Sequence, residues 1–487
     1  MANNDDNGKR DRRQLPSSLA TLDPRLSVAL AASKATAAGI RRLGRGGGTS
    51  APGLVAERID PRILTKLTSR LDGGTIVVAG TNGKTTTSRM IADILTAAGF
   101  AVVHNRSGSN LVRGVTSAFI ASAHVLGDPR GEFGVIEADE AALPAIVQLT
   151  RPRLILLNNL FRDQLDRYGE LDAIARMWRT AFLELDARTT IVVNADDPTL
   201  TAITDDLVAQ RIAFGMNEER HRLDALPHAA DAASCRGCGT DLEYRALYVS
   251  HLGEWFCPSC GRERPALDVE GGNITLHGVD SLEMQVRSCA ASPIDLNIGV
   301  PGFYNAYNTL AAYAVTGQLD VQPETIQQAL AAFRSPFGRI ERVEYRNRTL
   351  TLALVKNPVG FNEVLRMLTS ETGGLAVPTL IAINDRDADG RDVSWLWDVD
   401  FELLADGDGV LSTTGIRGSD MANRLKYAGV PLSRISPLAD DLAIALDAFA
   451  DSLPEGTGGY VLTSYTAMLE LRKTLADRGA VDTFWQQ

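Results

Sequence analysis

The stretch Val77-Val78-Ala79-Gly80-Thr81-Asn82-Gly83-Lys84-Thr85-Thr86 sets the architecture of this chain. It follows the apolar run 75–78 and precedes a helical pattern over residues 88–98. A buried strand, a glycine turn and a helix N-terminus form an anion cradle, because backbone N–H groups point at the bound phosphate. We therefore expect residues 80–86 to bind ATP, with Lys84 as a point charge and the Thr85 hydroxyl as a Mg²⁺ ligand. The alternative is a glycine turn in which the lysine occurs by chance.

Length and charge limit the class of protein. A chain of 487 residues is too long for one hydrophobic core, so about three domains are expected. The net charge of −11 argues against nucleic acid as a partner, since such proteins carry a basic face. No apolar run reaches the roughly 18 residues of a membrane span, and the N-terminus lacks the apolar core of a secretory signal. We expect a cytoplasmic protein without a transmembrane segment.

Four of the five cysteines form two Cys-x-x-Cys pairs, separated by eighteen residues: Cys235, Cys238, Cys257 and Cys260. Each pair is followed by glycine, and the spacing is typical of a structural zinc ribbon rather than of a disulfide framework. A redox dithiol pair is the alternative. His251 lies between the pairs but would be a fifth ligand, so we interpret it as a bystander. Charges in residues 231–268 are mixed, so the ribbon is expected to staple the fold or to dock a partner, not to bind nucleic acid.

The first 54 residues are predicted to form a basic segment outside the globular domains. Residues 1–20 are polar and predicted to be disordered, residues 25–45 form a basic, alanine-rich helix, and residues 44–53 form a flexible joint. The helix is expected to pack on the body of the protein. The alternative is a weak electrostatic hold on an anionic membrane surface.

Two α/β domains are predicted after this segment. Residues 55–335 alternate apolar strands with helical segments, which indicates a parallel sheet, with the zinc ribbon inserted at 231–265. Residues 336–487 alternate again and indicate a smaller, Rossmann-like domain. The strand candidates are 75–79, 133–137, 154–158 and 190–194 in the first domain, and 349–355, 379–384, 409–413 and 460–463 in the second.

An acidic motif, Glu137-Ala138-Asp139-Glu140, follows the strand at residues 134–136. A carboxylate at the carboxyl end of a strand beside a phosphate loop is where a Mg²⁺·ATP enzyme needs a metal ligand. We therefore expect Glu137 to bind magnesium. A solvated acidic loop is the alternative.

Several motifs along residues 55–345 resemble those of the Mur ligases. The phosphate loop has their short form, because the residue five before Gly83 is Val78 rather than the glycine of the common loop. The other motifs are Asn158-Asn159-Leu160-Phe161-Arg162-Asp163-Gln164-Leu165-Asp166, Asn194-Ala195-Asp196-Asp197-Pro198, Pro301-Gly302-Phe303-Tyr304-Asn305-Ala306-Tyr307-Asn308 and Gly338-Arg339-Ile340-Glu341. Mur ligases activate a carboxylate as an acyl phosphate and join it to an amine. The resemblance implies that Asn305 and Asn308 lie near the adenine, that Arg339 contacts the nucleotide and that Glu137 holds Mg²⁺.

Three positions depart from the Mur pattern. Gln164 stands where those ligases have a metal-binding histidine, and residues 171–185 lack the lysine that they carbamylate. The segment Ala353-Leu354-Val355-Lys356-Asn357-Pro358 lacks the acid expected near the ribose. A second metal ion and a ribose contact are therefore not implied, and a divergent relative is favoured over an ordinary amino-acid-adding ligase.

The C-terminal motifs indicate one branch of that family. Residues 356–363, 383–398 and 465–468, together with the zinc ribbon, resemble the MurT subunits of lipid II isoglutaminyl synthase over nearly the whole chain. The resemblance implies ATP-dependent amidation of the D-isoglutamyl α-carboxylate of the lipid II stem peptide. It also implies a GatD-like glutaminase partner that faces residues 336–487, in a heterodimer or higher assembly, at the inner face of the membrane.

The acidic loop of the last domain contains Asp385, Asp387, Asp389 and Asp392. It lacks the glutamate of an EF-hand, so calcium is not expected. The resemblance makes Asp385 the first candidate for a catalytic role at the glutaminase junction, with Asp387 and Asp389 as rivals. A solvated acidic turn is the alternative.

Cysteine and histidine counts give an independent prediction about the nitrogen source. Glutamine hydrolysis commonly needs a cysteine nucleophile paired with histidine. Four cysteines are assigned to zinc, Cys289 has no nucleophile-turn signature, and no histidine follows His277. The chain is therefore expected to lack its own glutaminase, so ammonia must come from solution or from a partner.

Two other interpretations stay open. The nearer is an amino-acid-adding ligase of the Mur or folylpolyglutamate type; the farther is a zinc-ribbon ATPase acting on nucleic acid, or a scaffold that binds ATP without turnover. The polar loop after the first helix is expected either to contact the substrate or to be an ordinary loop, and its candidates are Asn105, Ser107, Gly108, Asn110 and Arg113.

Overall fold

Two sheets organise the part of the chain that the computed structural model describes, which is residues 23–42, 51–105, 109–162, 171–289, 291–334, 339–369 and 374–481. The strands of the first domain are β1 (Gly74–Ala79), β2 (Val102–His104), β3 (Phe133–Glu137), β4 (Leu154–Leu157), β5 (Thr190–Asn194), β6 (Gln210–Met216), β7 (Glu243–Val249), β8 (Leu252–Phe256), β9 (Val269–His277), β10 (Ser281–Ser288) and β11 (Ala291–Ile298). Nine of them form one sheet in the order β11-β10-β9-β6-β5-β4-β1-β3-β2, and β7 pairs with β8 alone.

The nine-stranded sheet is parallel from β2 to β9 and antiparallel from β9 to β11. β1 lies inside it, between β3 and β4, and its residues from Thr75 to Ala79 are buried. A continuous β-branched run suits a parallel strand covered on both faces. The predicted α/β class is confirmed, with an antiparallel extension that the alternation of strands and helices did not indicate.

Helices cover both faces of this sheet. They are α1 (Pro24–Arg42), α2 (Ala51–Ile59), α3 (Ile63–Thr68), α4 (Lys84–Ala97), α5 (Val112–Ser122), α6 (Leu143–Thr150), α7 (Leu171–Phe182), α8 (Pro198–Ile203), α9 (Phe303–Gly317) and α10 (Pro323–Ala332). Ile76 and Val78 belong to the core on the α4 and α9 face, whereas Val77 and Ala79 belong to the core on the opposite face. This alternation follows from the two-residue period of a strand. None of the described helices combines the length and apolarity needed to cross a bilayer.

The C-terminal domain has a six-stranded sheet. Its strands are β12 (Arg339–Tyr345), β13 (Arg348–Leu354), β14 (Thr379–Ala382), β15 (Leu411–Thr414), β16 (Ile435–Pro437) and β17 (Gly458–Thr463), and its helices are α11 (Pro358–Thr369), α12 (Gly418–Tyr427), α13 (Leu442–Ser452) and α14 (Tyr465–Asp477). The order is β12-β13-β17-β14-β15-β16, and only the β12–β13 pair is antiparallel. The carboxyl ends of the parallel strands carry the acidic loop and the start of α14.

The N-terminal helices pack on the first domain. Lys34 Nζ of α1 donates to Ala121 O at 3.2 Å, and the Gly53 N–H of α2 donates to Ser117 Oγ at 2.9 Å. The prediction that the flexible joint extends to Gly53 is wrong, because α2 already begins at Ala51. A Cβ at Gly53 would lie 2.4 Å from Arg113 O, so glycine serves close helix packing there. Residues 1–20 and 43–50 lie outside the described residues.

Candidate active site

The phosphate loop connects β1 to α4. Gly83 stands at the N-cap of α4 with φ 83°, in the left-handed region that favours glycine. A Cβ at this position would lie 2.0 Å from Asn308 Oδ1, so a side chain would also collide with α9. The loop is therefore a compact turn that presents the first N–H groups of α4 to the space above the sheet, as the sequence predicted.

Lys84 is held inside this loop by Glu140, which was not among the predicted site residues. Its Nζ lies 2.6 Å from Gly80 O, 3.3 Å from Thr81 O and 2.8 Å from Glu140 Oε1. Both charged side chains are almost completely buried. Glu140 belongs to the same Glu-Ala-Asp-Glu motif as Glu137. The sequence therefore indicated the right motif, but only Glu137 was predicted from it as a site residue.

Glu137 ends β3 directly beside the phosphate loop, because it pairs in register with Val78 of β1. Glu137 is 4% exposed and lines a cavity together with Thr85. No described residue donates to or pairs with its carboxylate. A buried carboxylate without a cation fits a site for a divalent metal, since the ion would compensate the cost of its burial.

The cavity measures about 470 Å³ and lies between the two domains, because residues of α11 line it together with the phosphate loop. Its lining divides by chemistry into two sets. The polar set contains Thr81, Asn82, Lys84, Thr85, Glu137 and Glu140, and the apolar set contains Phe214, Val249, Leu252, Tyr304, Tyr307 and Val359. The first suits phosphates and a metal ion, and the second suits a flat aromatic group.

The two asparagines predicted to lie near adenine occupy different positions. Asn308 lines the cavity, and its Oδ1 accepts from Thr87 Oγ1 at 3.1 Å. Asn305 is buried behind it, donating to Pro301 O at 2.6 Å and accepting from Asn308 Nδ2 at 2.9 Å. Asn305 therefore positions Asn308 rather than lining the cavity itself. Thr86 is buried in α4, and the Arg339 side chain lies outside what the structure describes, although its backbone begins β12.

Hydrogen bonds across the cleft join the two domains at the phosphate loop. Asn357 Nδ2 donates to Asn82 Oδ1 at 2.9 Å, and Asn82 Nδ2 lies 3.4 Å from Asn357 Oδ1. Lys356 lines the cavity beside Asn357. The segment that departs from the Mur pattern therefore still reaches the phosphate loop through amide side chains.

Another acid of the cavity, Glu363 of α11, ends the motif at residues 356–363 but was not among the predicted site residues. It is 5% exposed, and its Oε1 accepts from Arg366 NH1 at 2.7 Å. Burial raises the pKa of Glu363, and Arg366 opposes that shift. Arg366 also donates to Tyr248 O at 2.7 Å, which fixes α11 to the first domain.

Asp196 lies behind the apolar set and holds Tyr307, one of its residues, by a hydrogen bond. It is fully buried and accepts from the Tyr307 hydroxyl at 2.6 Å and from Arg264 NH1 at 2.8 Å. Burial raises the pKa of Asp196, and the charge of Arg264 opposes the rise. Burial, together with Asp196, raises the pKa of Tyr307 well above its ordinary value. The Tyr307 hydroxyl therefore stays protonated and donates to this carboxylate.

The four predicted zinc ligands come together at the base of the β7–β8 hairpin. Their sulfur atoms lie within 4.8 Å of one another, with 3.6 Å between Cys235 and Cys260 and 3.5 Å between Cys238 and Cys257. Tetrahedral Zn²⁺ with Zn–S bonds of about 2.3 Å places its sulfur ligands about 3.8 Å apart, so the donor set fits zinc. His251 lies outside this cluster, as predicted.

The acidic loop of the C-terminal domain separates its four carboxylates. Asp385 accepts from Arg417 Nε at 2.9 Å, whereas Asp387 is exposed and pairs with Arg391 at 2.7 Å. Asp389 is buried and accepts from the Thr466 N–H at 2.8 Å at the start of α14. Asp392 accepts from the Ser394 N–H at 2.8 Å. None of the four lines the cavity, although Ala388 does.

The residues of the polar loop, predicted either to contact substrate or to form an ordinary loop, have different surroundings. Asn105 brackets Glu137, accepting from its N–H at 2.8 Å and donating to its carbonyl at 2.9 Å. Asn110 lines the cavity, whereas Arg113 is exposed and lies 3.6 Å from Glu57. Ser107 and Gly108 lie outside the described residues, as does the motif from Asp163 to Asp166.

Known proteins similar to this chain agree with the two-domain arrangement. The sequence matches the Mur ligase middle domain over residues 78–237 and the MurT ligase C-terminal domain over residues 354–468. It is 32% identical over 444 residues to the lipid II isoglutaminyl synthase (glutamine-hydrolyzing) subunit MurT of Streptococcus pneumoniae, covering 91% of this chain and 95% of that protein. The subunit of the same name from Staphylococcus aureus is 32% identical, covering 79% of this chain and 84% of that protein.

Solved structures share the fold at low sequence identity. The pseudomurein peptide ligase type C of Methanothermus fervidus aligns with a TM-score of 0.66 at 16% identity, covering 85% of this chain and 80% of that chain. MurF ligase of Thermotoga maritima, solved in complex with ADP, aligns with a TM-score of 0.59 at 14% identity, covering 87% and 85%. These likenesses show a Mur ligase fold, and the identity to the Streptococcus pneumoniae subunit, which extends over almost its whole length, shows the family: the chain belongs to the MurT subunits of lipid II isoglutaminyl synthase.

Proposed function

We propose that this chain is the ATP-dependent synthetase subunit of a lipid II isoglutaminyl synthase. It would convert the D-isoglutamyl α-carboxylate of the lipid II stem peptide to D-isoglutamine. The observation that carries the proposal is the interdomain cavity, which holds Lys84, Thr85 and the buried carboxylate of Glu137 together. The Mur ligase fold fits ATP- and Mg²⁺-dependent ligation, and the family supplies the amide product.

The reaction has two steps. A substrate carboxylate oxygen attacks the γ-phosphorus of ATP, which forms an acyl phosphate and releases ADP; ammonia then adds to the acyl carbon, and phosphate leaves with the electron pair of the broken C–O bond. Glu137 and Thr85 would hold Mg²⁺, and the bound ion would neutralise charge on the phosphates. Lys84 and the N–H groups at residues 80–86 stabilise charge on the transferred phosphoryl group. The residues of the loop act by position and charge, without a covalent intermediate on the protein.

The nitrogen source is proposed to be a GatD-like glutaminase bound to the C-terminal domain, in a heterodimer or higher assembly. Asp385 is proposed to act at that junction, where it would orient a partner histidine or guide ammonia. Its side chain is 13% exposed and its carboxylate pairs with Arg417, so the carboxylate has a fixed orientation near the surface. Structural Zn²⁺ is proposed at the four cysteines.

The location proposed for this reaction is the inner face of the cytoplasmic membrane, where lipid II presents its headgroup. The basic helix α1 carries Arg25 and Lys34, both bonded to backbone carbonyls of the first domain. That packing supports the interpretation of α1 as part of the protein body, so membrane proximity would come from the substrate rather than from α1.

The test follows ATP hydrolysis and lipid II amidation by the purified chain with ammonium, with and without the glutaminase. Ammonium alone should support amidation in the wild type and in Lys473→Ala, a control at an exposed lysine, but not in Lys84→Ala. ATP consumption that needs a free amino acid and does not occur with ammonium would instead indicate an amino-acid-adding ligase.

A further inference from the structure

The hairpin of the zinc ribbon forms part of the interdomain cavity. β7 and β8 are joined by a turn whose flanking residues, Val249 and Leu252, are 4% and 2% exposed and line the cavity. They belong to the same hydrophobic core as Phe214 and Tyr307. The ribbon therefore contributes a wall of the site, in addition to any role as a surface staple.

Backbone and ring contacts fasten this hairpin to the loop after β5. The Gly253 N–H donates to Asp196 O at 3.0 Å, and Trp255 Nε1 donates to Ala195 O at 3.0 Å. Both partners lie in the Asn-Ala-Asp-Asp-Pro motif. The position of β8 is thereby fixed relative to the central sheet.

A buried polar network extends from the ribbon to the cavity. Arg264, four residues after Cys260, donates to Asp196 Oδ1 and to Met216 O, both at 2.8 Å. The other oxygen of Asp196 accepts from the Tyr307 hydroxyl, and Tyr307 lines the cavity. The orientation of the Tyr307 ring therefore depends on a charge pair to which the ribbon contributes Arg264.

The tip of the hairpin also touches the support of the phosphate loop. His251 is fully buried, and its ring lies 4.9 Å from that of Phe161, between centroids. The Phe161 N–H donates to Thr81 Oγ1 at 3.0 Å, and that hydroxyl lies 3.0 Å from Phe161 O. The hairpin thus contributes residues to the apolar set and also contacts Phe161, which is hydrogen-bonded to Thr81 of the polar set.

The cysteine loops close the base of this hairpin. Cys235 and Cys257 are buried against Leu242 and Trp255, and the Arg264 N–H donates to Trp255 O at 2.9 Å. A two-stranded hairpin is marginally stable in water on its own, so a metal that joins its two loops contributes much of its order. Loss of the metal would loosen the link between the two cysteine loops that flank Trp255 and Arg264, and so reduce the order of the hairpin.

We propose that the zinc ribbon is part of the nucleotide site, and that Zn²⁺ sets the affinity for ATP by ordering the wall that contacts the nucleoside. Val249 and Leu252 supply apolar contact for the base, and the Arg264–Asp196 pair holds Tyr307 in the same wall. This inference rests on the proposed binding of ATP in the cavity. It assigns the ribbon a role in ATP affinity. A zinc site closed by four thiolate ligands would by itself indicate only a structural role.

The first experiment measures zinc content and the Kd for a Mg²⁺ complex of AMP-PNP by calorimetry, using the full chain. Cys238→Ser removes an exposed zinc ligand, and Cys289→Ser is its control, since Cys289 is exposed and outside the cluster. We expect Cys238→Ser to lose zinc and to bind AMP-PNP at least about tenfold more weakly. Cys289→Ser should keep zinc and the wild-type Kd.

Leu252→Ala separates the wall from the metal, in case Cys238→Ser does not fold. It should retain zinc but bind AMP-PNP about tenfold more weakly, because the base loses apolar contact. Its affinity for Mg²⁺-tripolyphosphate, which has no base, should stay within about twofold of the wild type. The substitution leaves all four cysteines in place.

Two results would overturn the inference: a folded, zinc-free Cys238→Ser chain with the wild-type Kd, or a Leu252→Ala chain with unchanged AMP-PNP affinity. If Cys238→Ser unfolds, Leu252→Ala decides whether the ribbon is a wall of the nucleotide site. A zinc-loaded wild type that fails to bind AMP-PNP would contradict the proposed function itself, which is a distinguishable outcome.

Discussion

Lys84 Nζ donates to Glu140 Oε1 at 2.8 Å, so the cation of the phosphate loop is paired with an acid. The backbone of Glu140 is fixed as well, because Trp178 Nε1 donates to its carbonyl oxygen at 2.8 Å. Phosphates entering the loop must compete with this carboxylate for Lys84. The affinity of the site for anions therefore depends on Glu140 as well as on the loop.

Glu140→Gln should strengthen the binding of Mg²⁺-free ADP by roughly fivefold, since it removes a competing negative charge from a buried site. Calorimetry in EDTA measures the Kd directly. Glu270→Gln, at a surface position of β9, is the matched control and should leave the Kd unchanged. Weaker ADP binding by Glu140→Gln would show that the carboxylate positions Lys84 more than it competes.

The same pair makes a prediction about stability. Lys84→Met removes the cation that is paired with the buried carboxylate of Glu140, which should lower the free energy of unfolding by about 3 kcal/mol. Adding Glu140→Gln to Lys84→Met should recover most of that loss, because both charges are then gone. Calorimetric unfolding of the single and double variants checks this, with Arg188→Met as a control at an exposed ion pair. A double variant no more stable than Lys84→Met would contradict the explanation.

Local sequence was sufficient for the features that depend on neighbouring residues. The phosphate loop, the four cysteines and Glu137 were predicted because strand, turn and helix signals lie next to them in the chain. The predicted strand at residues 133–137 agrees with β3, and the predicted strand at 190–194 agrees with β5. In motifs of this kind, the spacing of the residues along the chain largely determines their geometry.

Features that depend on distant packing were not predictable in the same way. Asp196 and Tyr307 are 111 residues apart, and only the folded sheet and α9 bring them within 2.6 Å. Asn305 belongs to the right motif, but its place behind Asn308 follows from helical spacing and the carbonyl of Pro301. Glu363 lies in a motif that was singled out, but it was not predicted as a site residue, because an acid inside an amphipathic helix is ordinarily solvated.

The raised pKa of Glu363 predicts how stability depends on pH. Burial raises the pKa above the ordinary 4.5, so this group stabilises the fold fully below the unfolded pKa, and that contribution is lost as pH rises through the folded pKa. Glu363→Gln keeps an acceptor for Arg366 but does not titrate. The free energy of unfolding of the wild type minus that of Glu363→Gln should therefore fall as pH rises above 4.5, by up to about 1.4 kcal/mol per pH unit. Urea unfolding from pH 4.5 to 8 measures it, and a flat or rising difference would contradict the assignment.

The acidic loop allows the three rival aspartates to be distinguished. Asp389 is buried and bonded to Thr466, so Asp389→Asn should lower stability rather than act on one reaction. Asp387 has a side chain that is 89% exposed, so Asp387→Asn is the matched control.

Asp385→Asn should reduce glutamine-dependent amidation by the assembled complex about a hundredfold, because a partner histidine would lose its orienting carboxylate. Amidation with ammonium should stay within about twofold of the wild type, since none of the atoms lining the cavity belong to Asp385. Parallel assays with glutamine and with ammonium, on complexes of equal composition by gel filtration, separate the two effects. Equal loss with both nitrogen sources would place Asp385 in the synthetase reaction, and equal activity of Asp385→Asn and Asp387→Asn would remove it from the glutaminase junction.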